Sequence, residues 1–153
     1  MTAALRRVLV VSGPNLDRLG KRETTIYGTT TLADIEEAVR AVAASEGVDV
    51  EFMQSNHEGE LITRVGRAAD EGFVGVVINP AGYSHTSVAL HDAIRASGIP
   101  VIEVHLTNIA ARESFRHHSI TAGACVGSIS GFGPASYVLG LLGLLYHLEH
   151  RSA

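Results

Sequence analysis

Short β-branched runs alternate with amphipathic stretches of helical period along almost the whole chain, and this limits the fold more than any other feature. Residues 7–13 (RVLVVSG), 48–54 (VDVEFMQ), 73–79 (FVGVVIN) and 99–107 (IPVIEVHLT) read as strands, with a fifth inside 123–131. Between them lie helical stretches at 31–47, 59–72, 86–98 and 134–148. The first carries Leu32, Ile35, Val39 and Val42 on one face. Thr31 and Asp34 form a capping-box pattern at its start, and Gly47 stops it.

Strands that alternate with helices join through right-handed crossovers into a parallel sheet. Five strands in 153 residues fit a flavodoxin-like α/β fold. The expectation is an open five-stranded parallel sheet with helices on both faces, three layers in all. One compact domain over 1–153 accounts for the length, with 1–6 as a peripheral segment. The tail YVLGLLGLLYHLEH is the most apolar stretch, but it is shorter than the ~20 residues that span a bilayer. It reads as a buried terminal helix, and coverage of both its faces would point to subunit contacts. The run VLVV near the start is too short for the core of a signal peptide. No membrane association is expected. A net charge of -4 argues against a nucleic-acid partner. The single cysteine, Cys125, cannot form an internal disulfide, which fits a cytoplasmic setting.

In such sheets ligands bind beyond the carboxyl ends of the strands. The segments there are GPNLDRLGKRETTIYG, SNHEG, NPAGYSHTS and EVHLTN, so the chemically capable residues gather at one rim. Neither glycine-rich nucleotide fingerprint occurs, and neither C-x-x-C nor H-E-x-x-H is present. No cofactor and no metal are expected. Lys21, the only lysine, sits between Gly20 and Arg22 in a polar loop, where a desolvated imine-forming amine is not expected.

Four candidates remain. Glu103 and His105 are two apart on a strand and share a face. That pair is either a general acid with its supporting carboxylate or a structural hydrogen-bonded pair. Asn79, Gly82 and His85 form either an anion-binding turn or an ordinary capped loop. Asp92 is a carboxylate on a helix otherwise facing the core, or part of a solvated face. In GKRETTIYG, Arg22 and Tyr27 are either loop surface or a base with its activating cation, because a guanidinium stabilises a phenolate. Gly20 and Gly28 are candidate hinges for closing that loop over a ligand.

The motifs GPNLDRLGKRETTIYG, QSNHEGELI, NPAGYSHTSVALHDAI, VIEVHLTN and ARESFRHHS stand in that order. Together they resemble the type II 3-dehydroquinate dehydratases over residues 7–148. The resemblance implies cofactor-free removal of water from 3-dehydroquinate to give 3-dehydroshikimate, in the shikimate pathway or in quinate breakdown. It implies Tyr27 as general base, assisted by Arg22, and His105 as general acid, supported by Glu103. It implies that Asn15 stabilises an enolate through water. Substrate contacts fall on Asn79, His85, Leu106, Thr107 and Arg116. It also implies a homododecamer, a tetramer of trimers, in which Asp92 serves a neighbouring subunit's site. Thr24 stands where the family commonly has proline, and Asp17 where it often has asparagine or glycine; both bear on the loop more than on the chemistry.

Overall fold

The computed structural model describes residues 4–151. Five strands form one parallel sheet in the order β2-β1-β3-β4-β5. They are β1 (Arg6–Ser12), β2 (Val48–Gln54), β3 (Gly75–Asn79), β4 (Val101–His105) and β5 (Gly127–Ser130). The helices are α1 (Thr24–Tyr27), α2 (Leu32–Ser45), α3 (Glu58–Gly66), α4 (Val88–Ser97) and α5 (Ala135–His150). This is the expected flavodoxin-like arrangement.

Strand alternation divides the core into two layers. Val8, Val10, Val77, Ile102 and Val104 face Ile35 and Val39 of α2 and Leu141, Leu144 and Leu145 of α5. Leu9, Val11, Val76, Ile78 and Val101 face Leu61 and Val65 of α3 and Leu90 and Ile94 of α4. Each such side chain, fully buried, contributes about 1.5–3 kcal/mol, so the central strands anchor the molecule. Helix α5 lies very close to the sheet: a Cβ on Gly140 would meet Val104 Cγ1 at 2.5 Å. Only glycine fits there.

The capping box of α2 forms, with Thr31 and Asp34 each bonding the other's backbone N–H. Several elements are shorter than their sequence patterns, β3 and α4 among them, each starting two residues late. Helix α3 ends at Gly66 and not at Gly72, because the chain turns back and Phe73 N–H bonds Ala68 O at 3.0 Å. Strand β4 stops at His105 because the Leu106 carbonyl accepts Gly133 N–H, at 2.8 Å, from the turn before α5. The expected peripheral segment 1–6 is narrower than read: Arg6 already belongs to β1 and pairs with Val48. Residues 1–3 lie outside the described residues. On α5, Leu139, Leu142 and Tyr146 are exposed, so only one face of that helix is covered within the chain. No helix among the described residues is long and apolar enough to cross a membrane.

Candidate active site

The carboxyl ends of β1, β3 and β4 open into one cleft of about 130 Å³. Its walls include Asn15, Arg22, Tyr27, Asn79, His85, His105, Leu106, Thr107, Arg112 and Arg116. Ten of the eleven residues singled out from the sequence therefore bear on this cleft, nine as wall and Glu103 from behind it.

One wall is the loop after β1. Tyr27 ends the four-residue helix α1, none of whose residues is buried. Glu23 starts that helix with a left-handed backbone, φ 36°. Thr24 is the first helical residue, a position that also accepts proline because its N–H has no intrahelical partner. Gly20, at φ 88°, is pinned and not free: an added Cβ would meet Thr29 O at 2.9 Å. Of the two expected hinges, only Gly28 has open space around it.

The phenol oxygen has a partner the sequence reading missed. Arg112 Nη1 donates to Tyr27 Oη at 2.6 Å, and to Thr107 Oγ1 at 3.4 Å. Arg22 stacks over the same ring, 4.8 Å from its centroid, and donates from Nη2 to Glu23 Oε2 at 2.7 Å. The guanidinium on the phenol oxygen is thus Arg112, while Arg22 adds positive charge over the ring face. Arg22 holds the Glu23 carboxyl below its ordinary range by hydrogen bonding. Arg112 lies among short 3-10 turns, which carry no hydrophobic period. Its one sequence signal was a second arginine four residues before Arg116.

A second wall comes from β4. His105 Nε2 and Glu103 Oε2 are 2.8 Å apart, leaving Nδ1 as the ring nitrogen available to the cleft. Glu103 has no exposed surface and His105 is 5% exposed, so this pair belongs to the core. Burial pushes the Glu103 carboxyl up, but hydrogen bonds from His105, Ser119 and Thr121 outweigh it, and the net displacement is downward. Glu103 is an anion at neutral pH.

The floor holds Asn79, whose Oδ1 accepts Ala81 N–H at 3.0 Å. Ala81 is left-handed at φ 53°, as is Asn15 at φ 68°. Such backbones cost about 1–3 kcal/mol each and collect where structure serves a site. Asn15 N–H is held by Asn56 Oδ1 at 2.9 Å, so the β2 loop supports the β1 loop. Tyr137 lies beneath, with its Oη 2.8 Å from Ser12 Oγ. Burial pushes its phenol up to about 12, which removes it as a competing base. His85 donates from Nδ1 to His118 O at 2.9 Å, leaving Nε2 for a ligand. Arg116 donates from Nε to Glu113 Oε2 at 2.6 Å.

Asp92 is the residue the fold does not bring in. It is exposed and absent from the cleft wall. Of the two readings of Asp92, the solvated helix face is the one the fold supports: Leu90, Ala93, Ile94 and Ser97 are the buried residues of α4. Asp92 stands on the outer side with Val88, itself 60% exposed.

Comparison with known proteins follows the same outline. The family described as dehydroquinase class II matches residues 6–145. A 3-dehydroquinate dehydratase of Chelativorans is 57% identical over 94% of this chain and 99% of its own. One of Thermus thermophilus is 54% identical over 93% of this chain and 95% of its own. Among solved structures, the type II dehydroquinase of Butyrivibrio crossotus superposes with a TM-score of 0.90 at 39% identity, covering 92% of this chain and 98% of that one.

Proposed function

The chain belongs to the class II dehydroquinase family, and from that premise we propose how its cleft carries out the reaction. The activity is the removal of water from 3-dehydroquinate to give 3-dehydroshikimate, a hydro-lyase step of the shikimate pathway.

Tyr27, as phenolate, takes a proton from the carbon next to the substrate ketone. The electron pair moves onto the ketone oxygen as an enolate. Asn15, through water, stabilises that oxygen. The enolate then collapses: the carbon–carbon double bond forms, the carbon–oxygen bond breaks, and His105 Nδ1–H protonates the departing hydroxyl. One water leaves, and Tyr27 returns its proton to solvent or to His105. Preorganised charge is the main lever at each step. Arg112 and Arg22 favour the phenolate, and Glu103 favours the imidazolium. Arg116 suits the substrate carboxylate, because a guanidinium fork pairs with it bidentately. Asn79, His85, Leu106 and Thr107 orient the ring.

The observation that carries this assignment is the 2.6 Å contact of Arg112 with Tyr27 Oη in the same cleft that the buried His105–Glu103 pair serves. A base and an acid line one cleft from different elements, which suits a trans elimination of water. The test is an ultraviolet assay of the conjugated enone, run with EDTA and repeated after borohydride treatment. Undiminished turnover under both supports the tyrosinate–enolate course. Loss under borohydride would show a lysine imine, and loss under EDTA would show a metal requirement.

The proposal includes one catalytic domain, a cytoplasmic location and a homododecamer built as a tetramer of trimers. Asp92 is assigned to a neighbouring subunit's cleft. Its exposure beside Val88, away from its own cleft, supports that reading.

A further inference from the structure

Glu103 is held by more than His105. Ser119 Oγ donates to Glu103 Oε2 at 2.6 Å, and Thr121 Oγ1 donates to Glu103 Oε1. Thr121 is fully buried. Neither residue lines the cleft. The residue between them is fastened at both backbone groups. Ile120 N–H donates to Ser84 O at 2.7 Å, and Ile120 O accepts from His91 Nδ1 at 2.7 Å. His91 Nε2 in turn accepts from Arg95 Nε at 3.2 Å, which leaves Nδ1–H to face Ile120 O. Ser119 Oγ also accepts Ala122 N–H at 3.1 Å, and of the acceptors within its reach Glu103 Oε2 is nearer than Thr121 Oγ1 at 3.2 Å and Ser84 O at 3.5 Å.

We propose that Ser119 and Thr121, on a segment fastened to α4 by His91, are positioning residues that aim Glu103 at His105 and set the proton-donating strength of His105. This rests on the reading of His105 as the general acid. The carboxylate has its negative charge shared among three donors. Removing one hydroxyl leaves more of that charge for the imidazolium to neutralise, so His105 holds its proton more tightly. The acid weakens and the alkaline limb of kcat moves to higher pH. Other groups near the pair do not offer the same lever. Cys125, on the segment before β5, is the other titratable group near Glu103; burial, and then the Glu103 charge, push its thiol up to about 12, so it stays neutral. In the sheet the partners of Glu103 are Ile78 and Ser128, neither of which titrates, and from α4 the titratable groups turned to this segment are His91 and, behind it, Arg95. Across the cleft stand Arg22, Tyr27, His85, Arg112 and Arg116, none of which contacts Glu103.

The experiment compares Thr121→Val, Thr121→Ser and His91→Asn with the parent enzyme as the intact oligomer. Thr121→Val should lower kcat about ten-fold with KM within two-fold. The NMR titration midpoint of the His105 ring should rise, and Thr121→Ser should restore both. His91→Asn should lie between, because its amide reaches Ile120 O less well. If Thr121→Val does not fold, Ser119→Ala serves the same two readouts. Unchanged kcat and an unmoved His105 midpoint would overturn the proposal. So would a loss carried wholly by KM, or a serine variant as impaired as the valine one. The NMR midpoint needs no turnover. A moved midpoint in a protein inactive on 3-dehydroquinate would therefore strike the assigned activity and leave the clip standing.

Discussion

The two walls of the cleft are built on opposite principles. Tyr27 stands on a four-residue helix with no buried residue, started by a left-handed Glu23 and held by side chains. His105 stands at the end of a strand whose five residues are all buried, backed by a fully buried glutamate. The base is mounted on a loop and the acid on the core. A loop can close over substrate and exclude water, whereas a core position fixes geometry before substrate arrives. Changes on the base wall should therefore cost activity alone. Changes on the acid wall should cost activity and stability together.

The largest expected effect is Tyr27→Phe: kcat falls about a thousand-fold while thermal stability and assembly are unchanged. A parallel loss of Tm would break the contrast between the walls. Next, Arg112→Ala should lower kcat more than Arg22→Ala, because only Arg112 bonds the phenol oxygen. The expected losses are about a hundred-fold and about ten-fold. Equal losses would mean that ring-face charge, not the direct contact, supports the base. On the acid wall, Glu103→Gln should destabilise the protein by about 2 kcal/mol near neutral pH and abolish most activity.

The pH dependence of stability follows from the same residue. Glu103 has its folded carboxyl below the ordinary 4.5. Its contribution is whole above about pH 4.5 and is lost as pH falls through the folded value. Denaturant melts from about pH 6 to about pH 3 should show a shallower loss in Glu103→Gln than in the parent chain; parallel curves would contradict this. The smallest effect is at the other extreme. Tyr137 ionises at about 12 against an ordinary 10.0, because burial disfavours its phenolate. The unfolded chain releases that proton first as pH rises past about 10, so stability falls between the two values. Tyr137→Phe should remove that part of the alkaline slope, read in the same melts.

The same contrast explains what the sequence could reveal. Strand β2 was legible at 48–54 because polar and apolar residues alternate along it. The acid pair was legible because a two-residue spacing on a strand fixes the shared face. Arg112 was not, because the turns around it follow no period and its partner is 85 residues away. Ser119 and Thr121 were hidden for the same reason, lying 16 and 18 residues beyond Glu103. Asp92 was legible as one of two readings, and the buried stripe of Leu90, Ala93, Ile94 and Ser97 on α4 selects the solvated face.

The central claim is that base and acid are separate walls acting in sequence through an enolate. The direct test is deuterium exchange at the carbon next to the ketone, measured in recovered 3-dehydroquinate incubated in heavy water with His105→Ala and with Tyr27→Phe. The account predicts exchange above the enzyme-free rate with His105→Ala, with little dehydration, and none above it with Tyr27→Phe. Exchange that persists without the Tyr27 hydroxyl, or that vanishes with His105 alone, would contradict it.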